Sequence, residues 1–514
     1  MRNQTSLLFL FILLSTTILG QNKSIDTLDL EIKKLLSHFK TPGIGVAIVE
    51  KGKILYSKGF GTRTIDSDEP VDNNTLFAIG SISKSFTAVA LAMLVDEGKL
   101  NWDDKVIKYV PYFELYDPYV TNTFTIRDLL THRSGLKQVS GGTLWYHSDR
   151  SREEIIKGLK HLKAEKEFRT SPAYQNAMFV VASKVVEAVI KGSWDDFIRK
   201  RIFEPIGMKN TVILEAERKL NKNLATAHIK DQNLRIIPIE QEKLDNIAPA
   251  GSFYSSANDM ANYMNFMLND GIVGKDTLIS KKSFNELLTP QIYFPFFGKP
   301  YHNEFTSYGF GWWLTPKDGN IIIEHSGSVD GMGANLMMEK NSKIGVIALS
   351  NSSYSRIDLA VTFKVLGELL KDKDYLKIPQ LVMNDYSKSD SIRLVRKEQL
   401  QKSKIKKTKP SLALDKYIGI FTDKMYGDIY INKQDKNLKV QFSHTPLFTG
   451  ILAHWHYDTF EVDWLDPRIP NGFITFEFDS RGQISGFKVD QPSLSDVDFT
   501  ELEIKKKIKK DKQH

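Results

Sequence analysis

The stretch from Ser81 to Glu97 constrains the fold more than any other part of the chain. Ile82, Phe86, Val89, Ala90, Met93 and Leu94 recur there at helical spacing, and Gly98 ends the run. A helix this apolar has to be buried on most of its circumference, so the remaining elements must be arranged around it. Two short β-rich runs, Gly45–Val49 and Ile54–Ser57, precede it and read as a hairpin turned at Lys51-Gly52-Lys53. Strand signals return far downstream, at Ile321–Glu324, Gly333–Met338 and Lys343–Leu349, and Ile357–Leu370 reads as a closing helix. From about Asn101 to Met267 the signals are mainly helical. Strands at both ends of a helical middle predict one sheet assembled from distant parts of the chain, an α+β architecture. A leading helix over Asp26–Phe39, with Leu28, Ile32, Leu35 and Leu36 on one face, stops at Thr41-Pro42-Gly43.

Residues 411–504 have a different character. Short alternating runs at Gly427–Ile431, Leu438–Phe442, Thr459–Trp464, Gly472–Phe478 and Ile484–Val489 are separated by turn residues, which predicts a small antiparallel barrel or sandwich. Between the two regions, residues 373–410 are charged and weakly periodic and read as a partly helical linker; residues 505–514 read as a basic tail. The net charge of +8 is concentrated in these places: residues 387–410 carry +7 and residues 501–514 carry +3, so the rest is slightly negative. That distribution describes a solvated linker and tail rather than a nucleic-acid surface, and no nucleic-acid partner is expected.

The chain contains no cysteine, which excludes disulfides, thiolate metal sites and thiol nucleophiles. Arg2, the apolar run Leu7–Leu14 and the small residues up to Gly20 have the order of a secretory signal over residues 1–20, leaving a main domain over 21–372. Export to a periplasm or beyond is the expectation, with no membrane span after signal removal. Oligomeric state is not legible.

Several polar groups stand out. Ser81 and Lys84 lie three residues apart on one helical face. Spacing alone carries no weight, because Ser37/Lys40, Ser134/Lys137, Ser403/Lys406 and Ser485/Lys488 repeat it. Context separates the Ser81 copy: Gly80 precedes it, it opens the most apolar helix, and a half-buried Lys loses basicity by desolvation. Tyr174-Gln175-Asn176 follows Ser171-Pro172 at the entrance of the helix that starts at Ala177; taken locally, an ordinary capping turn explains it. His325-Ser326-Gly327-Ser328 ends a β-run ahead of Gly331 and Gly333, where small residues let a ligand lie against a strand edge. Most lone strand-end histidines are structural.

Taken in chain order, these signals resemble the serine β-lactamase and penicillin-binding-protein superfamily, in its class C β-lactamase, D-aminopeptidase and esterase branch. The matches are Phe77-Ala78-Ile79-Gly80-Ser81-Ile82-Ser83-Lys84, Thr131-His132-Arg133-Ser134-Gly135-Leu136, Tyr174-Gln175-Asn176, Tyr308-Gly309-Phe310-Gly311-Trp312 and His325-Ser326-Gly327. They cover about residues 25–372. Tyr417-Ile418-Gly419-Ile420-Phe421 and His454-Trp455-His456-Tyr457-Asp458 are similar to the β-rich domain often appended to such hydrolases. The resemblance implies a β-lactamase-like fold, an antiparallel sheet flanked by helices with a helical subdomain, followed by a small all-β barrel-like domain.

It also implies roles. Ser81 would be the nucleophile, Lys84 its proton acceptor and Tyr174 the proton shuttle to the leaving group. Asn176, His325 and Gly327 would bind substrate, and the backbone N–H groups of Ser81 and Ser328 would form the oxyanion hole. Lys84 and Tyr174 both remain open as the acylation base. One departure is informative: the last strand carries His325-Ser326-Gly327 where β-lactamases and transpeptidases usually have Lys-Thr-Gly, and a neutral imidazole attracts a carboxylate less than an ammonium does. The expected activity is therefore an exported serine peptidase or esterase of the D-aminopeptidase-like type, acting on small peptides, amides or esters without cofactor or metal. β-Lactamase or DD-carboxypeptidase activity is the alternative, and a catalytically silent peptide or penicillin sensor the different class. His454, His456 and Asp458 imitate a metallo-hydrolase ligand run, but Thr459 stands where a further His is wanted, and no metal is expected. The barrel region is expected to contribute substrate access rather than chemistry.

Overall fold

The computed structural model describes residues 27–241, 243–295, 305–491, 494 and 496–507; the signal-like segment lies outside these residues. An eight-stranded sheet forms the spine of the larger part. Its strands are β1 (Gly43–Glu50), β2 (Lys53–Gly61), β3 (Ile292–Tyr293), β4 (Ser307–Tyr308), β5 (Trp313–Lys317), β6 (Asn320–Val329), β7 (Met332–Glu339) and β8 (Ile344–Ser350). They lie in the order β2-β1-β8-β7-β6-β5-β4-β3, and each pairing is antiparallel. The sheet thus joins the first strands to the last, as the split strand signals require.

Both faces of this sheet are covered. Along β1, Ile44, Val46 and Ile48 join a core with the leading helix α1 (27–39) and the closing helix, while Ala47 and Val49 enter a second core on the other face. The second core holds α2 (Ser83–Asp96), in which every residue from Ser83 to Leu94 is buried. Beside it lie α3 (Ala177–Ile190) and α4 (Ala257–Leu268); α5 (Ile357–Leu370) closes the first face. Burial all round explains why α2 is apolar all round.

The expected linker is mostly regular. Residues Ile378–Ser403 form a 26-residue helix, α6, in which only Ile378, Pro379 and Val382 are buried. Its periodicity is weak because only the first half packs, through Ile378, Pro379, Val382, Met383 and Tyr386, and the second half faces water. Helix persists there because no Gly or Pro follows Pro379 before the end, and because pairs such as Lys402–Glu398 (2.6 Å) support exposed turns. Lys230 fastens the middle of α6, lying 4.4 Å from the Tyr386 ring centroid and bonded to Asp390 at 2.8 Å.

Beyond it, β9 (Gly419–Asp423), β10 (Gly427–Gln434), β11 (Asn437–Phe442), β12 (Thr449–His456), β13 (Thr459–Trp464), β14 (Gly472–Phe478), β15 (Ile484–Asp490) and β16 (Lys505–Lys506) close into a barrel. Closure leaves no unpaired edge of the kind that promotes aggregation. Phe421, Ile431, Val440, Phe460, Phe476 and Phe487 fill its interior. Lys505 and Lys506, read from sequence as the start of the tail, form the closing strand instead. The barrel is not a separate body: Tyr146 stacks on Phe448 with centroids 6.1 Å apart, and Val497 and Phe499 belong to the same continuous core as α2.

Candidate active site

Ser81 sits in a 3-10 turn, Gly80–Ile82, that leads directly into α2. The turn is pressed onto β6 by backbone contact. Gly80 has φ +50, and a Cβ there would lie 2.4 Å from Ser328 N; a Cβ on Gly327 would lie 1.9 Å from the Ile79 carbonyl oxygen. Only glycine at both places allows this approach, which brings Ser81 and Ser328 to the wall of one cavity of about 340 Å³. Two backbone N–H groups at that wall are suited to hold an oxyanion.

Lys84 follows one turn later and is fully buried. Its Nζ donates to Ser81 Oγ at 2.9 Å, to Asn176 Oδ1 at 2.7 Å and to the Ala250 carbonyl at 2.8 Å. Burial pushes its pKa down to about 7, with the Asp496 carboxylate acting in the opposite direction. A lysine so placed is poised to exchange a proton with the serine hydroxyl near neutral pH. Asn176 is held at the start of α3 by that bond, and its Nδ2 donates to Asp496 Oδ1 at 3.4 Å.

Tyr174 covers the pair from the side. Lys84 Nζ lies 4.8 Å from its ring centroid, and its hydroxyl is buried beside Ser81. Burial raises the phenol well above its ordinary range, while the nearby Ser81 acts weakly the other way. A phenol in that condition keeps its proton at neutral pH and can donate it.

Behind Tyr174 stands an aromatic layer. His132, at φ +55, packs 4.1 Å from Tyr174 and 4.4 Å from Tyr308, centroid to centroid. Its Nδ1 accepts from Gln175 N at 3.0 Å, fixing the chain beside Tyr174. Burial and the Lys84 charge hold His132 well below its ordinary pKa, so it stays neutral.

His325 belongs to this layer. Tyr308 OH donates to its Nε2 at 3.0 Å, and its Nδ1 donates to the Ser326 carbonyl at 2.6 Å. The side chain is 1% exposed, and burial with the Lys84 charge lowers its pKa to about 3. Direct substrate binding, expected from the motif, is not the arrangement observed: both ring nitrogens are spent within the protein. Gly327 likewise packs against Ile79–Gly80 instead of lining the cavity. The strand does not stop at His325 but continues to Val329, and its two-residue alternation turns Ser328 outward and His325 and Gly327 inward.

The cavity holds two features with no local sequence signal. Asp330, at the turn after β6, accepts from Tyr146 OH and bonds His147 Nε2, both at 2.8 Å. Burial would raise its carboxyl, but His147, Tyr146 and the Arg468 charge hold it below the usual range. Asp496 comes from the barrel part of the chain and lines the same cavity as Ser81. Nothing in the local sequence marks it among neighbouring Ser and Asp residues; only the docking of the barrel finds it. The division of labour expected from sequence is therefore revised, because the barrel supplies a wall of the site.

The metallo-hydrolase look-alike dissolves. His454 Nε2 bonds the Tyr457 carbonyl at 3.0 Å, His456 Nδ1 accepts from Ile405 N at 3.4 Å, and Asp458 accepts from Ser411 Oγ at 2.7 Å. A register shift between His454 and His456 breaks the period of two that would have aimed them together. No group of metal-ligating residues occurs among the described residues.

A serine at a buried helix entrance, a desolvated lysine bonded to it and a tyrosine above both are the working parts of a serine hydrolase, the class this fold and site define. The chain belongs to the Beta-lactamase family, whose model matches residues 31–366. A second model, a domain of unknown function (DUF3471), matches residues 403–506. Among curated relatives, an unguisins hydrolase of Aspergillus violaceofuscus is 27% identical over 346 residues, covering 63% of this chain and 61% of its own length. Penicillin-binding protein 4* of Bacillus subtilis is 29% identical over 326 residues, covering 60% and 67%. The chain thus spans about three fifths of the fungal relative. Among solved structures, an octameric penicillin-binding protein homologue from Pyrococcus abyssi aligns with TM-score 0.61 at 24% identity, over 91% of this chain and 98% of the other. A D-stereospecific amidohydrolase from Streptomyces sp. aligns with TM-score 0.52 at 20% identity, over 63% and 94%. At these identities the structural likeness speaks for the fold.

Proposed function

We propose that the protein is an exported peptidase or esterase of the D-aminopeptidase-like type, acting through an acyl-enzyme on Ser81. The observation that carries this reading is the 2.9 Å bond between Lys84 Nζ and Ser81 Oγ at the edge of an open cavity. In the reaction, unprotonated Lys84 takes the Ser81 proton as Oγ bonds to the substrate carbonyl carbon. The carbonyl oxygen becomes an oxyanion facing the N–H groups of Ser81 and Ser328. Collapse breaks the bond to the leaving amine or alcohol, which receives a proton from Tyr174, and the tyrosine recovers one from Lys84. Water then repeats the sequence on the ester, releasing the acid and restoring Ser81.

Lys84 is the acylation base in this scheme, since its pKa of about 7 suits it while Tyr174 remains a phenol. The names of a penicillin-binding relative and of an amidohydrolase of like fold support amide-bond chemistry. A β-lactamase or carboxypeptidase reading is less well served, because among the described residues no Lys or Arg lines the cavity to receive a substrate carboxylate. Export rests on the signal-like first 20 residues; N-terminal sequencing of protein recovered outside the cytoplasm tests it. A fluorophosphonate probe tests the reaction: it should label the protein once, at Ser81. Absence of labelling in folded protein would favour a silent sensor.

A further inference from the structure

Helix α6 is fastened at both ends. Its first half packs on the core beside α5, and just past its end Lys404 Nζ lies 4.7 Å from the Trp455 ring centroid while Ile405 N donates to His456 Nδ1 at 3.4 Å. Both of these partners belong to β12. Between the two attachments a cleft of about 580 Å³ separates the helix from the barrel, and it is larger than the catalytic cavity. Arg393, Leu394, Arg396, Lys397, Leu400 and Gln401 form its helical wall, a single stripe at helical spacing. Small-molecule sites commonly enclose roughly 300 to 1,000 Å³.

Leu234, Pro467, Pro470 and Phe473 add apolar surface to the other walls. Leu234 is kept there at a backbone cost: its φ is +64, in the left-handed region that a bulky side chain rarely adopts. The turn is locked by Leu234 N on the Asp231 carbonyl at 3.0 Å and by Arg235 Nε on Asp231 Oδ2 at 2.8 Å. Charge is divided unevenly across the cleft. Lys230 is matched by Asp390 and Arg468 by Asp466, while Glu461 and Asp490 stand on the barrel wall. Arg393 donates to the Asp231 carbonyl at 3.4 Å, and among the described residues no carboxylate pairs with Arg396 or Lys397. The helical wall is thus cationic, and no ion pair links it to the acids across the gap.

We propose that this cleft is a second binding site, for a single-chain amphiphile with an anionic head. The head lies against Arg393, Arg396 and Lys397, and the chain runs over Leu234, Leu394, Leu400 and Phe473. Glu461 and Asp490 repel an anion from the barrel wall and so orient the head toward α6. Arginine forks match carboxylate and phosphate alike, so the required feature is the oxyanion. The barrel interior offers no competing seat, because Phe421, Val440, Phe460 and Phe476 fill it. The site shares no lining residue with the catalytic cavity and does not depend on the acyl-enzyme reading.

Decanoate, decyl phosphate, decyl maltoside and decyltrimethylammonium, each below its micellar concentration, are titrated into the full-length protein by calorimetry. One molecule of either anion should bind per chain, the maltoside about tenfold more weakly and the ammonium more weakly still. Whichever anion binds tighter names the head group. Octanoate should bind more weakly than decanoate, by about fourfold for each methylene lost. Arg396→Gln combined with Lys397→Gln should weaken decanoate by about tenfold and leave the maltoside unchanged, whereas Leu394→Gln should weaken both. All three positions are exposed on α6, and circular dichroism confirms that the variants are folded. Added salt should weaken decanoate but not the maltoside, a reading that needs no substitution. Equal binding of the anions and the ammonium would overturn the site. So would an unchanged decanoate affinity in the folded double variant.

Discussion

A lysine buried without a formal counter-ion costs stability, and at Lys84 that cost is tied to chemistry. Its pKa is about 7 in the fold against 10.5 for the free side chain. Between those values the unfolded chain binds the extra proton, so folding stability rises with pH across that window, by up to about 1.4 kcal/mol per unit. Lys84→Met removes the group and should flatten this slope. Melting temperatures of the two proteins compared at pH 7 and pH 9 check it: their difference should move in favour of the unsubstituted protein at the higher pH. The same titration governs rate. Because the free base is the acceptor, kcat/KM for a neutral ester should rise through about pH 7 and then level. Ser81→Ala should lose all acylation, since among the described residues nothing else in the cavity offers a nucleophile with a lysine bonded to it. Residual ester turnover by a pure preparation would place the chemistry elsewhere. Ser81 and Lys84 were legible because their spacing coincides with the start of the helix that had to be buried.

At the scale of elements, the decisive contact is between the nucleophile turn and β6. Gly327→Ala places a methyl group 1.9 Å from the Ile79 carbonyl oxygen, so the strand and turn must part. The N–H groups of Ser81 and Ser328 then no longer converge, and turnover should drop by about 10² to 10³ while circular dichroism stays native. An undiminished kcat would show that the two groups do not share an oxyanion. His325 illustrates the limit of reading a motif without its strand. The tripeptide was recognisable, but which of its residues face the substrate depends on alternation along a strand that continues to Val329. His325→Ala should leave the buried Tyr308 hydroxyl unpaired and cost about 1 to 3 kcal/mol of stability, with the ranking of substrates unchanged. A changed ranking at unaltered melting temperature would restore His325 to the binding surface. Helix α6 was half legible: its charge and weak period suggested a linker, and the packed stretch from Ile378 to Tyr386 was too short to register as amphipathic.

The whole molecule is best described as two folds sharing one core. Aromatic groups of the barrel, Phe448 and Phe499, continue the cluster that surrounds α2, and ion pairs such as Lys137–Asp498 cross the boundary. Cores joined in this way unfold together, so calorimetry of the full chain should show one transition. Two separated transitions would mean that the barrel docks only loosely. Gly142→Ala, which drives a methyl group against Asp496, should lower the melting temperature by an amount equivalent to about 1 to 3 kcal/mol.

Local pattern determined much of this protein. Period-two runs placed the barrel strands and an apolar helix placed the centre, while the reaction was read from the resemblance of the motifs around Ser81, Lys84, Tyr174 and Asn176 to a known superfamily. The strands and the helix are short-range properties, since a helix turn or a strand pleat spans few residues and leaves its period in the sequence. Tertiary structure alone decided which side chains of β6 meet the cavity, that His132, Tyr308 and His325 stand as a neutral layer behind Tyr174, and that Asp496 crosses from the barrel to the nucleophile. Those facts depend on contacts between segments more than a hundred residues apart, and a single carboxylate leaves no period by which its distant partner could be read.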